Sequence, residues 1–138
     1  MSTIQAQIWN GSPFAIERKE GKARGTVIFR LCGPLTAFDM YGSVPPVGLR
    51  EMLDFQRAPT DEAPSVTIPA VTILDLTDVP YMDSTGLGAI VSLYVRCRGR
   101  GIRLIAAGAG PRVLELFQMT KVDAVIPMMG TVEEADTR

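Results

Sequence analysis

The 138-residue chain contains no histidine. That absence removes Ser/His and Cys/His nucleophilic dyads, histidine-ligated metals and an imidazole pH switch, and most hydrolase templates go with them. Cysteine is scarce: Cys32 and Cys97 are too far apart for a CxxC pair, and each lies among apolar residues. A buried free thiol in a reducing cytosol is the simplest use of both. No stretch approaches the roughly 18 consecutive apolar residues of a membrane span. Residues Met1 to Asn10 lack a basic segment followed by an apolar one, so neither membrane insertion nor export is expected. An excess of one charge is also missing, with 14 basic residues against 15 acidic ones and a net charge of -1. Nucleic-acid binding therefore lacks its electrostatic footprint.

What the chain does have is material for a core. Hydrophobic residues make up 46% and charged residues 21%, within the range of globular proteins. A chain of this length buries about two-thirds of the surface its unfolded form exposes. One domain covering residues 1–138 is expected, with no internal repeat and no low-complexity segment.

Strand signals open the chain. Ile4, Ala6 and Ile8 alternate with polar residues, Phe14 to Arg18 is a second short candidate, and Gly25 to Leu35 is rich in β-branched and aromatic residues up to Gly33-Pro34. Ser43 and Pro45 or Pro46 can start a helix running to about Arg57, with Leu49, Met52 and Leu53 on one face. Ala58 to Pro69 reads as an exposed connection. Val71 to Leu76 is nearly continuous in apolar residues, as in a strand covered on both faces at the centre of a parallel sheet.

After it a helix begins near Ser84, with Leu87, Ile90, Val91 and Tyr94 at helical spacing. Arg96, Arg98 and Arg100 complement its C-terminal dipole, and Gly99 or Gly101 can supply the left-handed residue that ends it. Ile102 to Ala107 reads as a strand, Pro111 as a helix start, Ala124 to Met128 as a short strand and Thr131 to Ala135 as a last helical turn. Alternation of strand and helix predicts an α/β fold, a mixed and mostly parallel sheet with helices packed on it. An exposed edge strand near the N-terminus leaves room for a weak homodimer.

The residues richest in chemistry are Asp83, Ser84, Thr85, Gly86, Leu87 and Gly88, where the central strand passes into a helix. Sites in open α/β sheets gather at such carboxyl ends of strands. A phosphate on Ser84 would lie beside unpaired backbone N–H groups at the positive end of the helix, changing surface charge by almost two units without unfolding the domain. The plainer role is that Asp83 or Ser84 is only a helix N-cap. Two other patterns compete less well. Gly108 to Val113 follows a strand like a dinucleotide loop, but Val113 replaces the third glycine and Met128 and Met129 stand where the acid would be. Asp75 and Asp78 are three apart on an extended segment, so they point to opposite faces and suit surface or turn-capping roles better than a metal. Neither a cofactor nor a metal is expected. Met119, Met128 and Met129 read as core filler, and the triple arginine of residues 96–100 suits either a solvated helix end or an acidic partner. Trp9 fits equally a packed N-terminal strand or a dimer contact.

The run from Val71 to Ala89, with Asp83-Ser84-Thr85-Gly86-Leu87-Gly88 at its heart, resembles the STAS superfamily, and within it the bacterial anti-sigma-factor antagonists. The likeness continues through Gly101 to Leu104, Pro111 to Val113 and Phe117 to Val122, and covers about residues 25–135. It implies a single STAS-like domain that is no enzyme: a cytoplasmic regulatory protein bound by an anti-sigma factor that is also a serine kinase. Ser84 would be the phosphoacceptor, with Thr85 the runner-up hydroxyl. Phosphorylation would break the complex and a phosphatase would restore it. The contact face implied is Asp83, Ser84, Thr85, Gly86, Leu87 and Gly88, the glycines admitting a partner backbone. The alternative is a non-phosphorylated STAS scaffold in a stress-signalling or transport complex. Family members commonly carry Gly-x-Leu-Asp after the second strand. Here Gly33-Pro34-Leu35-Thr36 stands instead, and a threonine cannot supply that charge.

Overall fold

The computed structural model of the chain describes residues 15–37 and 70–136. The alternating stretch Ile4 to Ile8, Phe14, Trp9 and the edge contact expected near it, the helix from Ser43 to about Arg57 and the loop from Ala58 to Pro69 lie outside these residues. Among the described residues the chain forms β1 (Ala15–Glu20), β2 (Thr26–Cys32), β3 (Val71–Asp78), α1 (Ser84–Gly99), β4 (Arg103–Ala107), α2 (Pro111–Met119), β5 (Met128–Met129) and α3 (Val132–Asp136).

The five strands lie in chain order across one sheet, β1 antiparallel to β2 and every later neighbour parallel. This is the mixed, mostly parallel α/β sheet that the alternation of patterns predicts. Strand β3 is the middle strand, and its residues Thr72 to Leu76 are all buried, which explains a run with no polar face.

Period-two alternation sorts the strand residues between two apolar clusters. Phe29, Leu31, Leu74, Leu76, Leu104 and Ala106 meet α1 and α2 on one face, while Ile28, Ile73, Ile105 and Ala107 join Ala135 and Val132 of α3 on the other. Phe29, Leu74, Leu93 and Phe117 are fully buried, and each such side chain contributes about 1.5–3 kcal/mol relative to exposure.

The helix ends follow their sequence signals closely. Gly101 takes the left-handed conformation with φ 72°. Its N–H donates to Arg98 O at 3.2 Å and the Ile102 N–H donates to Cys97 O at 2.8 Å, closing the last turn in a Schellman arrangement. Pro111 is the first residue of α2, where its missing N–H costs nothing. Thr131 Oγ1 accepts the Glu134 N–H at 3.1 Å and starts α3.

Three expectations are corrected. The buried stripe of α1 is Gly86, Ile90, Leu93 and Cys97, with Val91 36% exposed and Leu87 and Tyr94 half-buried. A glycine and a cysteine carry too little apolar weight to mark that stripe in the sequence. Ala124 to Met128 is not a strand: Val122–Ala124 form a 3-10 turn after a left-handed Lys121, and pairing begins only at Met128, after Pro127. Met119 is 73% exposed on α2 and fills no core.

Candidate functional site

Beyond the end of β2 the chain keeps pairing outside the sheet. The Gly33 N–H donates to Asp78 O at 3.0 Å, the Leu35 N–H to Tyr81 O at 3.1 Å and the Asp83 N–H to Leu35 O at 3.2 Å. Leu35 and Met82 form a parallel bridge. Residues 33–37 therefore run beside the segment that leads from β3 to α1, and Thr36 and Ala37 reach the edge of the Asp83–Gly88 junction.

Asp83 joins the two segments. Its carboxylate caps α1 by accepting the Gly86 N–H at 3.0 Å through Oδ1, and its Oδ2 accepts the Ala37 N–H at 3.0 Å. These donors hold its pKa below the ordinary carboxylate value, the Ala37 N–H contributing most, with partial desolvation opposing them. The helix cap is thus Asp83 and not Ser84. Ser84 is the first helical residue, it is exposed, and among the described residues nothing takes its hydroxyl. Thr85 is half-buried behind it.

Gly86 differs from the role first assigned to it. It is buried, and a Cβ there would collide with the backbone carbonyl of Leu35. The close approach it permits in this structure is to the Leu35 backbone of its own chain. Gly88 is exposed with open space around it, and Leu87 is half-buried between them. The junction consequently presents Ser84 and Gly88 outward, Leu87 partly, and uses Asp83 and Gly86 to hold the helix start in place.

Several neighbours carried no signal in the sequence. Arg112, on the first turn of α2, lies over the ring of Tyr81 at 4.9 Å from its centroid. Arg30 holds Asp78 with an N···O separation of 2.6 Å, while the Asp75 carboxylate accepts the Thr77 hydroxyl at 2.6 Å and the Thr77 N–H at 3.0 Å. Asp75 and Asp78 therefore serve different partners, and Asp75 is buried and not on the surface. Gly108 has φ 75° and abuts Thr77, so its glycine is required by the turn itself. Both thiols are displaced from reactivity: burial pushes Cys97 up to about 11, and partial burial is the main cause of an upward shift at Cys32.

With that geometry in view, the family model described as the STAS domain matches residues 19–135. The chain belongs to the STAS domain family. A stretch of 53 residues is 42% identical to an anti-sigma-B factor antagonist of Listeria monocytogenes, covering 38% of this chain and 46% of that protein. The chain thus spans about half the length of the curated relatives it matches. The crystal structure of a candidate anti-sigma factor antagonist from Thermotoga maritima shares the fold with TM-score 0.67 and 20% identity, covering 89% of this chain and 95% of that one. The STAS domain of a SulP transporter from Vibrio cholerae does so with TM-score 0.62 and 22% identity, covering 81% and 78%. One STAS fold thus occurs in both antagonists and transporters, and the sequence relatives are antagonists. Among the described residues of this chain no helix is long and apolar enough to cross a membrane.

Proposed function

We propose that this STAS domain is an anti-sigma-factor antagonist switched by phosphorylation of Ser84. The observation that carries the reading is an exposed hydroxyl at the first position of α1, beside a carboxylate already committed to backbone donors. Unmodified, the Asp83–Gly88 junction docks on an anti-sigma factor that is also a serine kinase. Ser84 Oγ then takes the γ-phosphoryl group of ATP bound in the kinase, the bond to the β-phosphate oxygen breaking as the bond to Oγ forms and the hydroxyl proton leaving to the kinase.

A dianion at this position suits the fold and spoils the interface. It faces the positive end of the α1 dipole, so the domain stays folded. It also stands next to Asp83, and an interface shaped for a neutral hydroxyl meets new negative charge and bulk. The N–H groups that Asp83 accepts favour its ionised form, so the new charge stands beside a carboxylate. Thr36 supplies no second carboxylate where family members commonly have one, which leaves Asp83 as the acid beside the hydroxyl. A phosphatase resets the switch. In this reading the chain acts in the cytoplasm as ligand and substrate and contributes no catalytic group.

The test uses the cognate anti-sigma kinase, with complex formation followed in the presence and absence of Mg-ATP and mass analysis of Ser84 and Thr85. Ser84→Ala is expected to bind and to resist release by ATP, and Ser84→Asp to bind at least about tenfold more weakly. If both variants bind and dissociate like the unaltered chain, the domain is a non-phosphorylated scaffold instead.

A further inference from the structure

The sequence from Ser84 to Leu114 contains no acidic residue and five arginines. Arg96 and Arg98 stand in the last turn of α1 and Arg100 follows as its C-cap. The buried stripe of α1 is Gly86, Ile90, Leu93 and Cys97. At about 100° per residue the opposite face carries Val91 and Val95, with Arg98 on one flank and Arg96 on the other. Val95 is 61% exposed and Val91 36%. Arg98 is steadied by a hydrogen bond from its Nη1 to the Tyr94 hydroxyl at 3.4 Å. An apolar strip with a guanidinium rim has the anatomy of a protein-docking surface.

We propose that this outer face of α1 docks an acidic amphipathic segment of a protein partner, its apolar row on Val91 and Val95 and its carboxylates on Arg96 and Arg98. Charge complementarity selects the occupant, and guanidinium forks match carboxylates in pairs. Extended polyanions fit less well. The chain as a whole carries a net charge of -1, so no long-range field draws in a membrane or a nucleic acid. Val95 lies about 16 Å along the helix from Ser84. The surface is therefore separate from the hydroxyl and does not depend on its phosphorylation.

The test is a titration of the isotope-labelled full chain with a synthetic helical peptide bearing a leucine row between two rows of glutamate, and with the same peptide carrying glutamine in their place. Amide shifts are expected from Val91 to Arg103 and not at Ser84 to Leu87, with the glutamate peptide only. Arg96→Gln with Arg98→Gln should weaken binding about threefold to tenfold. Raising salt from about 0.05 M to about 0.3 M should weaken it as well. Ser84→Asp should leave it unchanged. Shifts that do not saturate or that lie elsewhere, equal binding of the glutamine peptide, or tighter retention on phosphatidylserine vesicles or a DNA duplex would each overturn the proposal. The mapping on the unaltered chain decides the matter even if the double variant folds poorly.

Discussion

Two strand-to-helix junctions stand side by side at one end of the sheet, β3 into α1 and β4 into α2, and they are finished in different ways. At the first, a carboxylate caps the helix, a second chain segment is tied to that carboxylate, and a hydroxyl is left facing outward. At the second, Gly110 caps the helix with no side-chain hydrogen bond and Pro111 follows. Topology alone offers both ends as sites, since both lie at the carboxyl edge of parallel strands. Only one of them displays an exposed hydroxyl beside a side-chain cap. The lesson is that the fold supplies the position, while the cap and the packing beneath it supply the chemistry.

The contrast breaks most sharply at Gly86. Gly86→Ala drives a methyl group into the Leu35 carbonyl and should cost about 1–3 kcal/mol in urea denaturation, the usual penalty for overpacking. Gly88→Ala, two residues on and surrounded by open space, should instead stabilise by about 0.5–1 kcal/mol. If the two substitutions behave alike, the Leu35 segment is not packed against α1 as described.

Next in size is the cap. Asp83→Ala removes the acceptor shared by Gly86 and Ala37 and should cost about 1–2 kcal/mol. The pH dependence carries the same information. Because the folded pKa of Asp83 is lowered, its contribution is fully present above the unfolded carboxylate value and is lost as pH falls through the lower folded value. Acid unfolding of Asp83→Asn, followed by circular dichroism, should therefore show a shallower loss of stability over that interval than the unaltered chain. The smallest effect is expected at the second junction. Gly110→Ser installs the missing side-chain cap in a backbone already extended, at φ -77° and ψ 176°, and should raise stability by about a few tenths of a kcal/mol. A larger gain would mean that α2 is less firmly held than its buried Val113 and Phe117 suggest.

Sequence reading succeeded where the controlling interactions are local. The strand over Val71 to Leu76, the Pro111 start and the glycine stop after Arg100 each depend on residues within a turn or two of one another, and all are found near the expected places. It went astray where contacts are distant or carried by groups with no side-chain signature. Val91 counted as a core residue because its spacing is helical, yet the helix is rotated so that Gly86 can meet Leu35. Met119 counted as core because methionine is apolar, and nothing local says that its position on α2 faces outward. The clamp on Asp83 was invisible because its second donor is a backbone N–H, which every residue but proline has.

By itself, then, the order of residues determined the alternation of strands and helices, the central place of β3 and the junction at which Asp83 and Ser84 would stand. These follow from periodicity and helix-end chemistry, which act over a few residues. The tertiary structure decided which of the two carries the cap, that Gly86 belongs to the interior and that Val95 lies outside. Those outcomes require residues 33–37 to lie against residues 78–86, a pairing beyond the end of the sheet that no short-range rule can specify because its partners are far apart along the chain.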